Sequence, residues 1–133
     1  GLPLHSEAFL AYETFGELNA DRSNAILWPT CYSQRSEQQR EHIGTGKRFD
    51  PTNNFIVTVN MLGNGVSYSP TTEHIGHAYP REPVTYHDNA ALQEALMHSL
   101  GIQRWALIYG FSMGAMLALQ WAVQFPGKVA GVV

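Results

Sequence analysis

The chain has 133 residues, 44% of them hydrophobic and 14% charged, with a formal net charge of −3. That length supports one hydrophobic core and is short for two ordinary domains, the lack of a basic run argues against nucleic acid or an anionic membrane as partner, and no apolar stretch approaches spanning length. The lone Cys31 excludes an intrachain disulfide framework, and the N-terminus has no basic-then-apolar secretion pattern, so a cytoplasmic origin is expected, although a chain opening on Gly1 rather than Met leaves room for a segment upstream.

Taken in order, the sequence alternates strand and helix signals with no internal repeat or low-complexity tract. Phe9 to Thr14 alternates as a strand and ends at Gly16. Asn24 to Trp28 is a second run, opened by the turn-like stretch from Asn19 to Asn24 and closed by Pro29. Tyr32 to Asn54 is polar, with a short helix expected around Ser36 to His42. Phe55 to Asn60 begins Phe-Ile-Val-Thr-Val, the β-branched composition of a strand buried on both faces of a parallel sheet. Gly63 to Pro83 is rich in Gly, Pro, Ser and Thr and reads as a long loop.

A helix follows from about His87 to Leu100. Thr85 and Asp88 serve its start, Leu92, Ala95, Leu96 and Leu100 form an apolar stripe, and Gly101 ends it. Trp105 to Tyr109 reads as a short buried strand and Ala115 to Phe125 as a helix stopped by Pro126. The side chains of Met116, Leu117, Leu119, Trp121, Ala122 and Val123 leave that helix little polar surface, which predicts burial beneath other layers. Val129 to Val133 reads as a last strand with an unpaired edge. The alternation is that of an α/β fold, a mostly parallel sheet with flanking helices, and residues 1–133 are expected to form a single partial domain, its N-terminal part.

Between the last two strand signals lies Gly110-Phe111-Ser112-Met113-Gly114. A G-x-S-x-G pentapeptide has chemical meaning where a strand turns sharply into a helix: the serine hydroxyl is exposed on a strained elbow, and the helix N-terminus offers free N–H groups to a developing oxyanion. The flanking signals provide that setting, so Ser112 is a candidate nucleophile and Gly110 and Gly114 are the elbow glycines. The bland alternative is a Gly-rich turn with Ser112 as an ordinary helix cap.

Other motifs carry less. His74-Ile75-Gly76-His77 spells a nucleotide-binding signature, but it lies in a Pro- and Thr-rich loop without a partner lysine motif. With Glu73 the same histidines form an incomplete metal set, and no metal is expected. Gly44-Thr45-Gly46-Lys47 lacks the spacing and hydroxyl of a P-loop and reads as a turn. Cys31 reads as a small half-buried thiol. His5, His42, His74, His77, His87 and His98, with Asp50 and Asp88, are the candidates for a base and its orienting acid, and no spacing favours any of them.

The stretch Leu10 to Asn19, the run Gly44 to Asp50, the motif Asn60-Met61-Leu62-Gly63-Asn64-Gly65 and the elbow with Met113 together resemble the homoserine O-acetyltransferase family of the α/β-hydrolase superfamily, colinearly through nearly the whole chain. The resemblance implies an α/β-hydrolase fold and a serine that takes an acyl group from acyl-CoA and passes it to a hydroxyl acceptor. Those transferases usually carry Gly-Gly-Ser-Met-Gly-Gly at the elbow, where this chain has Phe111 and Ala115. Their loop after the second strand commonly reads His-Ala-Leu-Thr-Gly, where this chain has Thr30-Cys31-Tyr32-Ser33-Gln34. An oxyanion hole in this fold uses backbone N–H groups from the residue after the nucleophile and from that loop, here Met113 and Tyr32. The order serine, acid, histidine places the remaining catalytic groups beyond Val133, so this chain is expected to hold only the nucleophile and oxyanion hole and, alone, to turn over little substrate.

Two classes of function follow. One is a serine enzyme acting through an acyl-Ser112 intermediate, expected to be an acyltransferase of the homoserine O-acetyltransferase type with an esterase as the alternative, with small-molecule acyl donor and acceptor, no bound cofactor and acyl-CoA as the co-substrate of the transfer. The other is an inactive fragment whose open sheet pairs with a copy of itself or a complementary chain; a homo-oligomer is expected.

Overall fold

The computed structural model describes residues 8–71 and 83–133. The motif around His74 and His77, and His5, lie outside them. Strand β1 is Tyr12–Phe15, strand β2 Ala25–Pro29 and helix α1 Ser36–Gln39, which continues as a 3-10 turn over Arg40–His42. Strand β3 is Phe55–Val59, helix α2 Tyr86–Ser99, strand β4 Leu107–Ile108 and helix α3 Met113–Gln124, followed by a 3-10 turn at Pro126–Lys128.

The sheet has the order β1-β3-β2-β4. β3 and β2 run parallel with Ile26 opposite Ile56 and Leu27 opposite Val57, β4 runs parallel to β2, and only β1 is antiparallel, against β3. Ile56, Val57, Thr58 and Val59 are all fully buried, as the composition of that run predicts for a strand covered on both faces. One face carries the larger core, in which Leu27, Val57 and Val59 meet Met97 of α2 and Leu117 and Trp121 of α3. The other carries a smaller aromatic cluster of Trp28, Phe49 and Tyr109, with Trp28 stacked on Phe49 at 4.3 Å between ring centroids.

Several expectations need correction. The first strand starts at Tyr12, because Phe9 and Ala11 meet the loop after β3 rather than a ladder: Tyr68 N–H donates to the Phe9 carbonyl and Ala11 N–H to Ser67 Oγ. The fourth strand has two ladder residues rather than five, although Ala106 and Tyr109 also donate to Ala25 and Leu27 carbonyls. The expected strand from Val129 to Val133 is reduced to two isolated parallel bridges, Val129 with Trp105 ahead of β4 and Val132 with Ile108 of β4. The inward face of α2 coincides with the expected stripe only at Leu96, which is buried, and Leu100, which packs against the core; Ala95 is exposed, and Asn89, Ala90, Gln93 and Met97 are the other buried residues of that face. Its two amides are buried because each has a designated partner: Asn89 Oδ1 accepts from Leu62 N–H, and Gln93 Oε1 accepts from Trp121 Nε1 at 2.9 Å. The expected cap holds, with the Thr85 hydroxyl oxygen accepting from Asp88 N–H and an Asp88 carboxylate oxygen from Thr85 N–H. Helix α3 is not enclosed all round. Gly114, Leu117, Ala118 and Trp121 are buried, whereas Met116, Leu119 and Val123 are exposed, because among the described residues the helix packs its other side against β2 and α2.

The turn after α3 is tied back to α2 by charge. Lys128 Nζ pairs with Glu94, and His98 Nε2 lies 2.7 Å from the same carboxylate. The Lys128 ammonium, with a smaller contribution from His98, holds the Glu94 carboxyl below its ordinary value against partial burial. A carboxyl depressed in the folded state adds stability above its unfolded value and loses that contribution as pH falls through the folded one. Glu94→Gln is therefore expected to lower the thermal midpoint near pH ~7 and to converge with the parent chain as melts are repeated down to pH ~3; a gap that stays constant across that range would remove the ion pair from the account.

Candidate active site

Ser112 links β4 to α3 with φ 52° and ψ −120°, a conformation that a residue with a Cβ rarely holds and that costs about 1–3 kcal/mol. Two of the three non-glycine residues with positive φ among the described residues, Ser33 and Ser112, belong to this region. Close packing enforces the elbow. A Cβ on Gly110 would lie 2.3 Å from the Gly114 carbonyl oxygen and 2.5 Å from the Ala115 nitrogen, and one on Gly114 would lie 3.2 Å from the Pro29 carbonyl oxygen. The two glycines let strand, elbow and helix approach backbone to backbone. Ser112 is exposed and its side chain makes no capping bond to the helix, so its hydroxyl faces solvent at the C-terminal end of the sheet.

The first turn of α3 leaves one donor free. Gly114 N–H donates to the Phe111 carbonyl, and Ala115 and Met116 N–H to that of Ser112, while Met113 N–H has no hydrogen-bond partner among the described residues. Met113 lines a cleft of about 510 Å³ together with Cys31, Tyr32, Ser33, Leu62 and Asn64. The structure thus brings Met113 and the loop after β2 to one cavity.

That loop is a tight turn. Gln34 N–H donates to the Cys31 carbonyl at 3.1 Å, and Ser33 takes φ 58° at the turn's third residue. Gln34 Oε1 accepts from Cys31 N–H at 3.1 Å, and Asn64 Nδ2 reaches the Gln34 carbonyl at 3.4 Å. Behind it lies a buried polar network. Asn60 Oδ1 accepts from Ser36 N–H and from Asn64 Nδ2, while Asn60 Nδ2 donates to Ser36 Oγ and the Ala11 carbonyl. Ser36 Oγ donates to Glu13, which also pairs with Arg40 at 2.6 Å. Burial raises the Glu13 value, but the hydrogen bonds from Arg40 and Ser36 outweigh it and hold the carboxyl below its ordinary range. Nothing in the sequence marks Gln34, Ser36, Asn60 and Asn64 as site residues, although Gln34 ends the loop after β2 and Asn60 and Asn64 belong to the Asn60-to-Gly65 motif; their convergence in space shows what they do.

None of the described histidines hydrogen-bonds Ser112. His42 sits beside Glu41 and Trp28, His87 beside Asp88, and His98 beside Glu94 and Lys128. Gly44 to Phe49 is a turn, closed by Gly44 N–H to the Phe49 carbonyl, with Gly46 N–H held by Asp50. Among the described residues no three His, Cys, Asp or Glu side chains converge as a metal site would require, and no helix is long and apolar enough to cross a membrane.

A central parallel sheet, an antiparallel first strand and a strained serine elbow between strand and helix define the α/β-hydrolase class. The chain belongs to that family: residues 26–133 match the family described as alpha/beta hydrolase fold. It is 41% identical to the ethyl acetate hydrolase of Pseudomonas veronii, over 92% of this chain and 36% of that protein, and 37% identical to the homoserine O-acetyltransferase of Geotalea uraniireducens, over 93% and 38%. The solved acetylester hydrolase from Corynebacterium glutamicum superposes with a TM-score of 0.84 at 38% identity, over 92% of this chain and 36% of that one. The chain therefore spans a little over one third of the length of these relatives, and they include both esterases and acyltransferases.

Gly110→Ala is expected to cost about 3 kcal/mol or more, because the atoms its Cβ meets are backbone and cannot rotate away. Gly127→Ala, with nothing within 4 Å of the added carbon, is expected to stay within about 0.5 kcal/mol of the parent. Denaturant melts of both variants check the contrast; equal midpoints would contradict the packing account of the elbow.

Proposed function

We propose that this chain carries the nucleophile and oxyanion hole of a serine enzyme that transfers acyl groups from small esters or thioesters. The observation that carries the reading is the strained, exposed Ser112 followed directly by Met113, which lines one cleft together with Tyr32. Ser112 Oγ attacks the acyl carbonyl, its proton passing to a base; the tetrahedral oxyanion is held by Met113 and Tyr32 N–H; the ester or thioester bond then breaks, the leaving group takes the proton, and an acyl-Ser112 remains. A second acceptor releases it. No Asp, Glu or His follows Ser112 in the sequence, so the base and its orienting acid are assigned to groups outside the described residues.

Water is the acceptor we favour, because the esterase from Pseudomonas veronii is the more similar of the two enzyme types compared and because Phe111, exposed beside the nucleophile, replaces a glycine of the transferase pattern. Transfer from acyl-CoA to a hydroxyl acceptor is the second reading, supported by the motif order shared with the homoserine acyltransferases. The two differ in the fate of the acyl group, which passes to water in one and to an alcohol in the other.

Intact-mass measurement after incubation with a fluorophosphonate, with and without added imidazole, tests the nucleophile. One adduct on Ser112, formed faster with imidazole and lost in Ser112→Ala, is expected. Absence of an adduct, or its persistence in Ser112→Ala, would overturn the reading.

A further inference from the structure

We propose that Gln34 is the positioning residue of the oxyanion hole, aiming the Tyr32 N–H by fixing the two peptide planes on either side of Cys31. The inference rests on the reading of Ser112 as the acyl-accepting nucleophile.

A backbone N–H stabilises a developing charge only if its peptide plane is held in orientation before the reaction, and a loop peptide between two rotatable residues can flip unless both of its polar ends are constrained. Tyr32 N–H must remain unbonded to serve, so the constraint has to act on the other end of the same peptide, the Cys31 carbonyl. Gln34 N–H donates to that carbonyl at 3.1 Å. The peptide is trans, so its N–H and carbonyl point in opposite directions, and tying the Cys31 carbonyl into the turn directs the Tyr32 N–H out of it. The same residue's side chain accepts from Cys31 N–H at 3.1 Å and so fixes the preceding peptide plane. One residue thereby constrains both planes, and the position at which they meet is Cys31.

Gln34 is itself anchored. Its carbonyl receives Asn64 Nδ2, whose other bond is to Asn60 at 2.9 Å, and Asn60 is almost fully buried among Ser36, Ala11 and Ser67. Backbone N–H, side-chain oxygen and backbone carbonyl of Gln34 are all engaged, in a loop whose next residues toward the N-terminus, Tyr32 and Ser33, are exposed. Such full engagement in a surface turn is what a preorganised donor needs. Ser33 at φ 58° adds the cost of a conformation that the turn alone does not favour for serine, and the bonds at Gln34 hold it.

The test separates this inference from the reading beneath it. The phosphonyl adduct on Ser112 places a phosphoryl oxygen where the oxyanion develops, so in a ¹H–¹⁵N spectrum of the adduct both the Met113 and Tyr32 amide protons are expected to move downfield. Gln34→Ala removes the acceptor for Cys31 N–H and keeps the backbone bond to the Cys31 carbonyl, so the Tyr32 shift is expected to shrink while the Met113 shift remains, and adduct formation is expected to slow by about tenfold. Gln34→Glu keeps an acceptor for Cys31 N–H and is expected to restore the Tyr32 shift whatever its charge does to the rate. A Tyr32 shift unchanged in Gln34→Ala would overturn the positioning role, as would its loss in Gln34→Glu. Loss of both shifts in Gln34→Ala would also overturn it, by showing general disruption in place of a local one. No adduct in the parent chain would overturn the reading of Ser112 and the positioning role with it.

Discussion

The backbone-to-backbone contact at Gly110 is the constraint on which the candidate site depends. β4 delivers the chain to Gly110, and α3 leaves from Met113, with the Gly114 carbonyl and Ala115 amide packed against the bare Cα of Gly110. No side chain fits in that contact. Because strand and helix are pressed together there, the residues between them must reverse direction within a few bonds, and Ser112 takes a left-handed conformation that it would not choose. Exposure of its hydroxyl follows from the same geometry. So does the orientation of the helix start, whose first residue, Met113, lines the same cleft as Tyr32.

The elbow supplies one side of that cleft, and the other is built from polar side chains that the sheet buries for the purpose. Asn60 stands at the end of β3 and Thr30 at the end of β2, and both are buried despite their polarity. Each is satisfied by the loops that leave those strands: Thr30 Oγ1 accepts from Met61 N–H, and Asn60 bonds Ser36 and Asn64. An unpaired amide at this depth would cost about 1–3 kcal/mol, so the network favours one arrangement of the loops over others of similar compactness. Rigidity in the turn from Cys31 to Gln34 is inherited from the strand ends through these bonds.

Much of the fold was legible because it depends on local sequence. The β-branched run of Phe55 to Val59, the Thr85 and Asp88 cap and the glycine spacing around Ser112 each state their structure within a few residues. What was not legible depends on partners far along the chain. The apolar composition of α3 gave no sign that Met116, Leu119 and Val123 lie on a face without a neighbour among the described residues. Gln93 broke the expected stripe of α2 because its partner, the Trp121 indole, is 28 positions away. Gln34 and Asn64 are 30 apart in sequence, and no period or motif connects them.

The segments on either side of α3 are bonded to each other. Trp105 N–H donates to the Lys128 carbonyl and Ala130 N–H to that of Trp105, while Ile108, Gly110 and Val133 exchange bonds through Gly131, Val133 and Ile108 carbonyls. The chain from Trp105 to Val133 is therefore a loop closed at its base, with the serine at one shoulder. A closed loop of this kind opens as a unit: the elbow cannot relax toward an ordinary turn while the rungs below it persist. The left-handed serine is thus protected by bonds made on the far side of the helix, and its lifetime is that of the whole strand-helix-strand segment, not that of a surface turn.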